Sequence, residues 1–149
     1  MHSIAGVLQN QILICAMTAW FVAQALKVPI YYLVEHELNW RRWLGSGGMP
    51  SSHSALVVAL TAMVGARMGF DTAVFAISFA LSIIVMYDAA GVRRETGTQA
   101  AVINKILHDM LVDGKHITEE ELKELVGHTP LEVFAGALLG LIVTGLFLI

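Results

Sequence analysis

The chain has 149 residues, enough for one compact domain, and it is 56% hydrophobic but only 14% charged, with a formal net charge of −3. A soluble domain carries about 25% charged residues, so a mean hydropathy of +0.69 argues against a water-facing globule. No basic surface suggests a nucleic-acid partner, and the lone Cys15 rules out an intrachain disulfide.

The charge deficit is concentrated. Residues 3–26, 54–66, 72–87 and 133–149 contain no Asp, Glu, Lys or Arg. A spanning helix needs roughly 20 predominantly apolar residues, and these blocks reach that length with their flanks. The expected fold is all-α, a polytopic membrane helical bundle in one domain, 1–149. About four transmembrane helices are expected near 4–26, 52–70, 71–90 and 130–149, with interfacial and cytoplasmic helices between them.

In chain order, the first block lacks the basic start of a signal peptide and is longer than its usual apolar core, so it reads as a mature span. Lys27 closes it. Residues 30–44 then carry Tyr31, Tyr32, Trp40, Arg41, Arg42 and Trp43, a composition that suits an interfacial helix. Next comes Gly47-Gly48-Met49-Pro50-Ser51-Ser52-His53, opening the second span. Small residues let backbone approach a ligand, Ser51 or Ser52 can cap the helix, and free N–H groups there suit a phosphate. A capped helix with an incidental histidine explains the same residues.

The third span ends in Asp88-Ala89-Ala90-Gly91-Val92-Arg93-Arg94. An ionisable residue such as Asp88 at a membrane boundary is a functional candidate, with Arg93 or Lys27 as partner. Ala100, Ile103, Ile106, Leu107, Met110 and Leu111 recur at helical spacing. Asp113–His116 reads as a turn, and Thr118–Glu121 as a capping box. His108 and His116 read as surface residues. The last span opens with His128-Thr129-Pro130-Leu131-Glu132, a second capping box with proline at the first helical position. Glu132 can serve that cap, or orient the His128 imidazole and expose its other nitrogen as a nucleophile. Pro29, Pro50 and Pro130 all fall at expected helix edges. Gly136 and Gly140 form a small-xxx-small pair, suited either to internal packing or to a homo-oligomer face.

Four spans in series bring Lys27, the Ser51–His53 start, the Asp88–Arg94 end and the His128–Glu132 start to one membrane face. The long connections hold Lys27, Arg41, Arg42, Arg93, Arg94, Lys105, Lys115 and Lys123, whereas only Arg67 lies opposite. Positive-inside bias places that face in the cytoplasm and both termini outside. The expected location is a bacterial cytoplasmic membrane.

The order Lys, Arg, Pro-Ser-x-His, Arg, then His with a carboxylate four positions on resembles the type 2 phosphatidic acid phosphatase superfamily. That superfamily also includes bacterial acid phosphatases and vanadium-dependent haloperoxidases. Blocks 47–55, 87–94 and 127–133 look most like its divergent small branch, and the resemblance covers nearly the whole chain. It implies a phosphoric ester hydrolase acting on a membrane lipid phosphate, a phosphomonoester or diphosphate. His128 would be the nucleophile, Glu132 its orienting carboxylate and His53 the general acid. Lys27, Arg41, Arg42, Ser51, Ser52, Arg93 and Arg94 would hold the phosphate. The implied reaction needs no metal or other cofactor; a divalent cation through Asp88 and Glu132 is the lesser alternative. The sequence departs from the pattern at Ser52, where glycine is usual, and in placing Arg93 and Arg94 a whole connection before His128. Those departures keep a second reading in view, a non-catalytic anion-binding or transport module. A serine hydrolase built on Ser52 and His53 is a weak third, because no elbow motif surrounds Ser52.

Overall fold

The computed structural model describes residues 4–36, 48–111 and 128–149. Among them are five α-helices: α1 (Gln11–Glu35), α2 (Ser52–Met68), α3 (Ala73–Tyr87), α4 (Arg93–Leu111) and α5 (Pro130–Leu148). Residues 37–47 and 112–127 lie outside the described set. With them lie Arg41 and Arg42, the tryptophans of the expected interfacial helix, the 113–116 turn and the 118–121 capping box.

Local chemistry sets the helix ends. The first block divides at Asn10, whose side-chain oxygen accepts from the amides of Ile12 (3.1 Å) and Leu13 (3.2 Å). A short 3-10 segment, Ile4–Gln9, precedes it. The first α-helix thus begins at residue 11 rather than 4. It also runs on, past Lys27 and Pro29, to a left-handed residue at His36. Proline inside a helix removes one ladder bond, a loss that membrane helices tolerate. Lys27 and Pro29 therefore lie within a helix and not at its edge. Ser51 and Thr72 cap α2 and α3, and the connection between those helices turns at Gly69 with φ of 102°. Thr129, Pro130 and Glu132 form the expected capping box on α5.

The expected end of the third span near residue 90 is not a helix end. Tyr87 passes through a π turn, Asp88–Val92, directly into α4. The arginine pair marks a change of polarity, but nothing there breaks the chain's helical path. Among the described residues, three stretches are long and apolar enough to cross a membrane: Gln11–Leu33, Ala73–Ile106 and Pro130–Leu148. The fourth apolar helix, α2, has 17 residues. It rises only about 25 Å, against roughly 30 Å of hydrocarbon.

The short helix is the central one: α2 packs against α1, α3 and α5, and α1 also meets α5. The core between them is made mostly of small residues at four-residue spacing. Cys15, Ala19 and Ala23 come from α1, Ala55, Ala59 and Met63 from α2, and Val143 from α5. Large apolar side chains such as Phe21, Ile77, Phe79, Ile84, Phe134 and Leu146 face outward. On α3 the buried side chains are Ser78 and Ser82. Thr61 of α2 meets both, at 2.9 Å to the Ser78 carbonyl and 2.7 Å to Ser82 Oγ. Small and hydroxylated residues inside, with bulky apolar residues outside, is the order expected where lipid surrounds the bundle. A water-soluble bundle would reverse it.

Gly136 and Gly140 lie on the α2–α5 seam. A Cβ at Gly136 would fall on the Ser51 carbonyl oxygen, and one at Gly140 would lie 2.6 Å from the Ala55 carbonyl oxygen. The small-xxx-small face is therefore filled by α2 of the same chain. A homo-oligomer would need another surface. Gly140→Leu is expected to destabilise the protein by about 1–3 kcal/mol through overpacking, read as a lower thermal midpoint in detergent. Gly145→Leu, where an added Cβ has nothing within 4 Å, should leave the midpoint unchanged. Equal effects at the two positions would contradict the packing described.

Candidate functional site

The first turn of α5 gathers the polar groups at one end of the bundle. Thr129 Oγ1 accepts from the Glu132 amide at 3.3 Å, and Glu132 Oε2 accepts from the Thr129 amide at 3.1 Å. The same Oε2 lies 2.9 Å from His128 Nδ1. The carboxylate thus caps the helix and holds the imidazole together. The two uses expected of Glu132 are not alternatives. An ionised carboxylate only accepts hydrogen bonds, so in a neutral imidazole the pairing puts the proton on Nδ1 and a lone pair on Nε2.

His128 is fixed at its backbone as well. Its amide donates to the Ala89 carbonyl at 3.0 Å, and Ala89 belongs to the π turn. A π turn breaks the regular i→i+4 ladder, and such turns often accompany functional sites. Here the turn presents a carbonyl that anchors the residue before the α5 cap. His128 as a whole is 2% exposed. Among the described residues, its buried Nε2 has no hydrogen-bond partner.

Two other elements close on this group. The Ser51 amide donates to the Glu132 backbone carbonyl at 3.0 Å, tying the α2 cap to the first turn of α5. Gly136, one turn further on, permits that approach. Lys27 of α1 is only 3% exposed and interacts electrostatically with Glu132. A buried cation is costly unless it is paired, so the carboxylate also accounts for Lys27. The site therefore joins Lys27, Ser51, His128 and Glu132, with Ser52 buried beside Ser51.

The remaining candidates lie on the neighbouring elements. His53 is exposed on the first turn of α2, between the buried Ser52 and Ser54. Asp88 is half-buried at the start of the π turn, and Arg93 and Arg94 open α4. Among the described residues, no three His, Cys, Asp or Glu side chains gather as a metal-ligand set. Sequence reasoning missed the Ala89 carbonyl and Ser54. Gln24, 8% exposed, lies one turn before Lys27. A signal for Lys27 was present, since Cys15, Ala19, Ala23 and Lys27 form one four-residue series on the buried face of α1.

Fold and site together define an integral, polytopic helical membrane protein with a cationic and histidine-bearing cluster buried at one end of its bundle. A family model described as the Divergent PAP2 family matches residues 8–143, and the chain belongs to that family. It is also similar to the uncharacterized membrane protein YuiD of Bacillus subtilis (strain 168). The two are 44% identical over 147 residues, covering 92% of this chain and 93% of the relative. No solved structure matches.

Glu132→Ala should cost about 1–2 kcal/mol, since it removes part of a helix cap and a partner of a buried ring. Nitrogen-15 spectra of labelled histidine check the electronic consequence. The unsubstituted protein should show His128 as the Nδ1–H tautomer, and Glu132→Ala a mixture. An Nε2–H tautomer in the unsubstituted protein would contradict the pairing.

Proposed function

We propose that the protein is a membrane phosphatase acting on lipid phosphates through a histidine nucleophile. One observation carries this reading: Glu132 holds His128 through Nδ1 and interacts electrostatically with the buried Lys27, while Nε2 has no hydrogen-bond partner among the described residues. An imidazole held that way keeps a lone pair on the nitrogen facing away from its carboxylate. Membership of the Divergent PAP2 family supports the same reaction class.

In the proposed reaction His128 Nε2 attacks phosphorus in line. A phosphorus–nitrogen bond forms as the bond to the leaving oxygen breaks. Lys27, Ser51 and Ser52, with the arginines at 41–42 and 93–94, neutralise the charge on the non-bridging oxygens, which is the largest contribution in this kind of chemistry. The leaving oxygen takes a proton, and His53 is the candidate donor. Water then attacks the phosphohistidine, releasing inorganic phosphate and restoring Nε2. No metal enters the scheme. A site recessed among membrane helices suits a substrate whose acyl or isoprenoid chain stays in the bilayer. Phosphatidic acid, phosphatidylglycerol phosphate and undecaprenyl diphosphate fit that description. The proposed orientation puts the site on the cytoplasmic side of a bacterial membrane, following the positive-inside bias.

A second reading is an anion-binding or transport module. The enclosure of Nε2 favours it, because a working nucleophile must reach the substrate.

Phosphate release from a panel of those lipids, with and without chelator, separates the readings. The expected result is chelator-insensitive release that falls by more than about 1,000-fold in His128→Ala. In vesicles, release from substrate confined to the cytoplasmic leaflet checks the orientation. Release abolished by chelator would overturn the metal-free route. Retained phosphate binding with no release from any lipid would favour the binding module.

A further inference from the structure

Ser51 is fully buried, and nearly all of its hydrogen-bonding capacity is committed. Its amide donates to the Glu132 carbonyl at 3.0 Å, and its carbonyl accepts from the Ala55 amide at 3.1 Å. Its side-chain oxygen accepts twice from one residue, from Ser54 Oγ at 3.0 Å and from the Ser54 amide at 3.4 Å. A hydroxyl offers two acceptor lone pairs and one proton. Ser54 thus fills both lone pairs, and what remains on the Ser51 side chain is the proton. Ser54 is itself fully buried. Gly136 holds it there, since a Cβ on that glycine would lie 3.1 Å from Ser54 Cβ.

A buried donor with no acceptor is costly. An independent observation at the same place also points to a ligand: the ring of His128, 2% exposed, has a partnerless Nε2 among the described residues. A ligand that satisfies the Ser51 proton must bring an acceptor oxygen. A hydroxyl or amine donor on the ligand would find no lone pair there. Ionised phosphate oxygens, which only accept, fit this requirement, whereas an ammonium group, which only donates, does not.

We propose that Ser54 is a positioning residue that makes Ser51 a donor-only group toward the oxygens of a bound phosphate. This rests on the anion-site reading above. Without the Ser54 hydroxyl, one lone pair of Ser51 opens and its proton is free to turn. Ser54 would then influence the ligand only through Ser51, which distinguishes it from a residue that merely packs the α2–α5 seam.

The test is a double-mutant cycle on inorganic phosphate binding, measured by calorimetry on the full chain in detergent. Ser54→Ala should weaken binding about five- to tenfold, the effect of one hydrogen bond, with little change in thermal midpoint. In a Ser51→Ala background the same substitution should have no further effect, the non-additivity expected of coupled residues. Ser51→Gly is a second background, because glycine serves well as a helix cap. Full additivity in both backgrounds, or no effect of Ser54→Ala alone, would overturn the proposal while leaving the anion site standing. No phosphate binding by the unsubstituted protein would overturn the anion site and this proposal with it.

Discussion

One carboxylate organises the polar end of this protein. Glu132 Oε2 accepts from the Thr129 amide and pairs with His128 Nδ1, and the Glu132 backbone carbonyl receives the Ser51 amide. Its charge also answers Lys27 of α1. Three helices and the imidazole therefore share a single residue. Because capping is worth about 1 kcal/mol on its own, folding of α5 already places the carboxylate where His128 needs it. Local stability and site geometry have the same origin.

That arrangement depends on helices lying unusually close. Glycines at 136 and 140 leave no side chain between α5 and the backbone of α2. Ala55 and Ala59 of α2 meet Cys15, Ala19 and Ala23 of α1 in the same way. In lipid, apolar side chains gain little by leaving one apolar surroundings for another, so close backbone approach and interhelical hydrogen bonds carry more of the association. The hydroxyls of Thr61, Ser82 and Thr144 supply such bonds between helices. The core is tight because its residues are small, and a cation at position 27 can be enclosed because α1 sits against α2 and α5 along its length.

Much of this was legible in the sequence. The charge-free blocks marked the apolar helices, and the Thr129-Pro130-Leu131-Glu132 run announced the α5 cap. The convergence of Lys27, Ser51, His128 and Glu132 followed from threading the helices alternately through a bilayer. Helix limits were harder. Asn10 caps α1 from within an uncharged block, where hydropathy gives no sign of a break. Pro29 looked like an end because proline stops helices in water, but α1 continues past it. The π turn at Asp88–Val92 left no compositional mark, and its Ala89 carbonyl could not be foreseen as the anchor of His128. Gly136 and Gly140 fitted an internal or an external face equally well until α2 was seen to fill it. The double acceptance by Ser51 depends on two rotamers, which spacing alone does not specify.

The central claim is that His128 Nε2 is a nucleophile toward phosphorus. Its most direct test is to trap the covalent intermediate. Purified protein would be mixed with a phosphorus-labelled short-chain phosphatidic acid, quenched in alkali within one turnover and mapped by mass spectrometry. The account predicts an alkali-stable, acid-labile phosphoryl group on His128. Turnover with no adduct there, or with the phosphoryl group on Ser51 or Ser52, would contradict it.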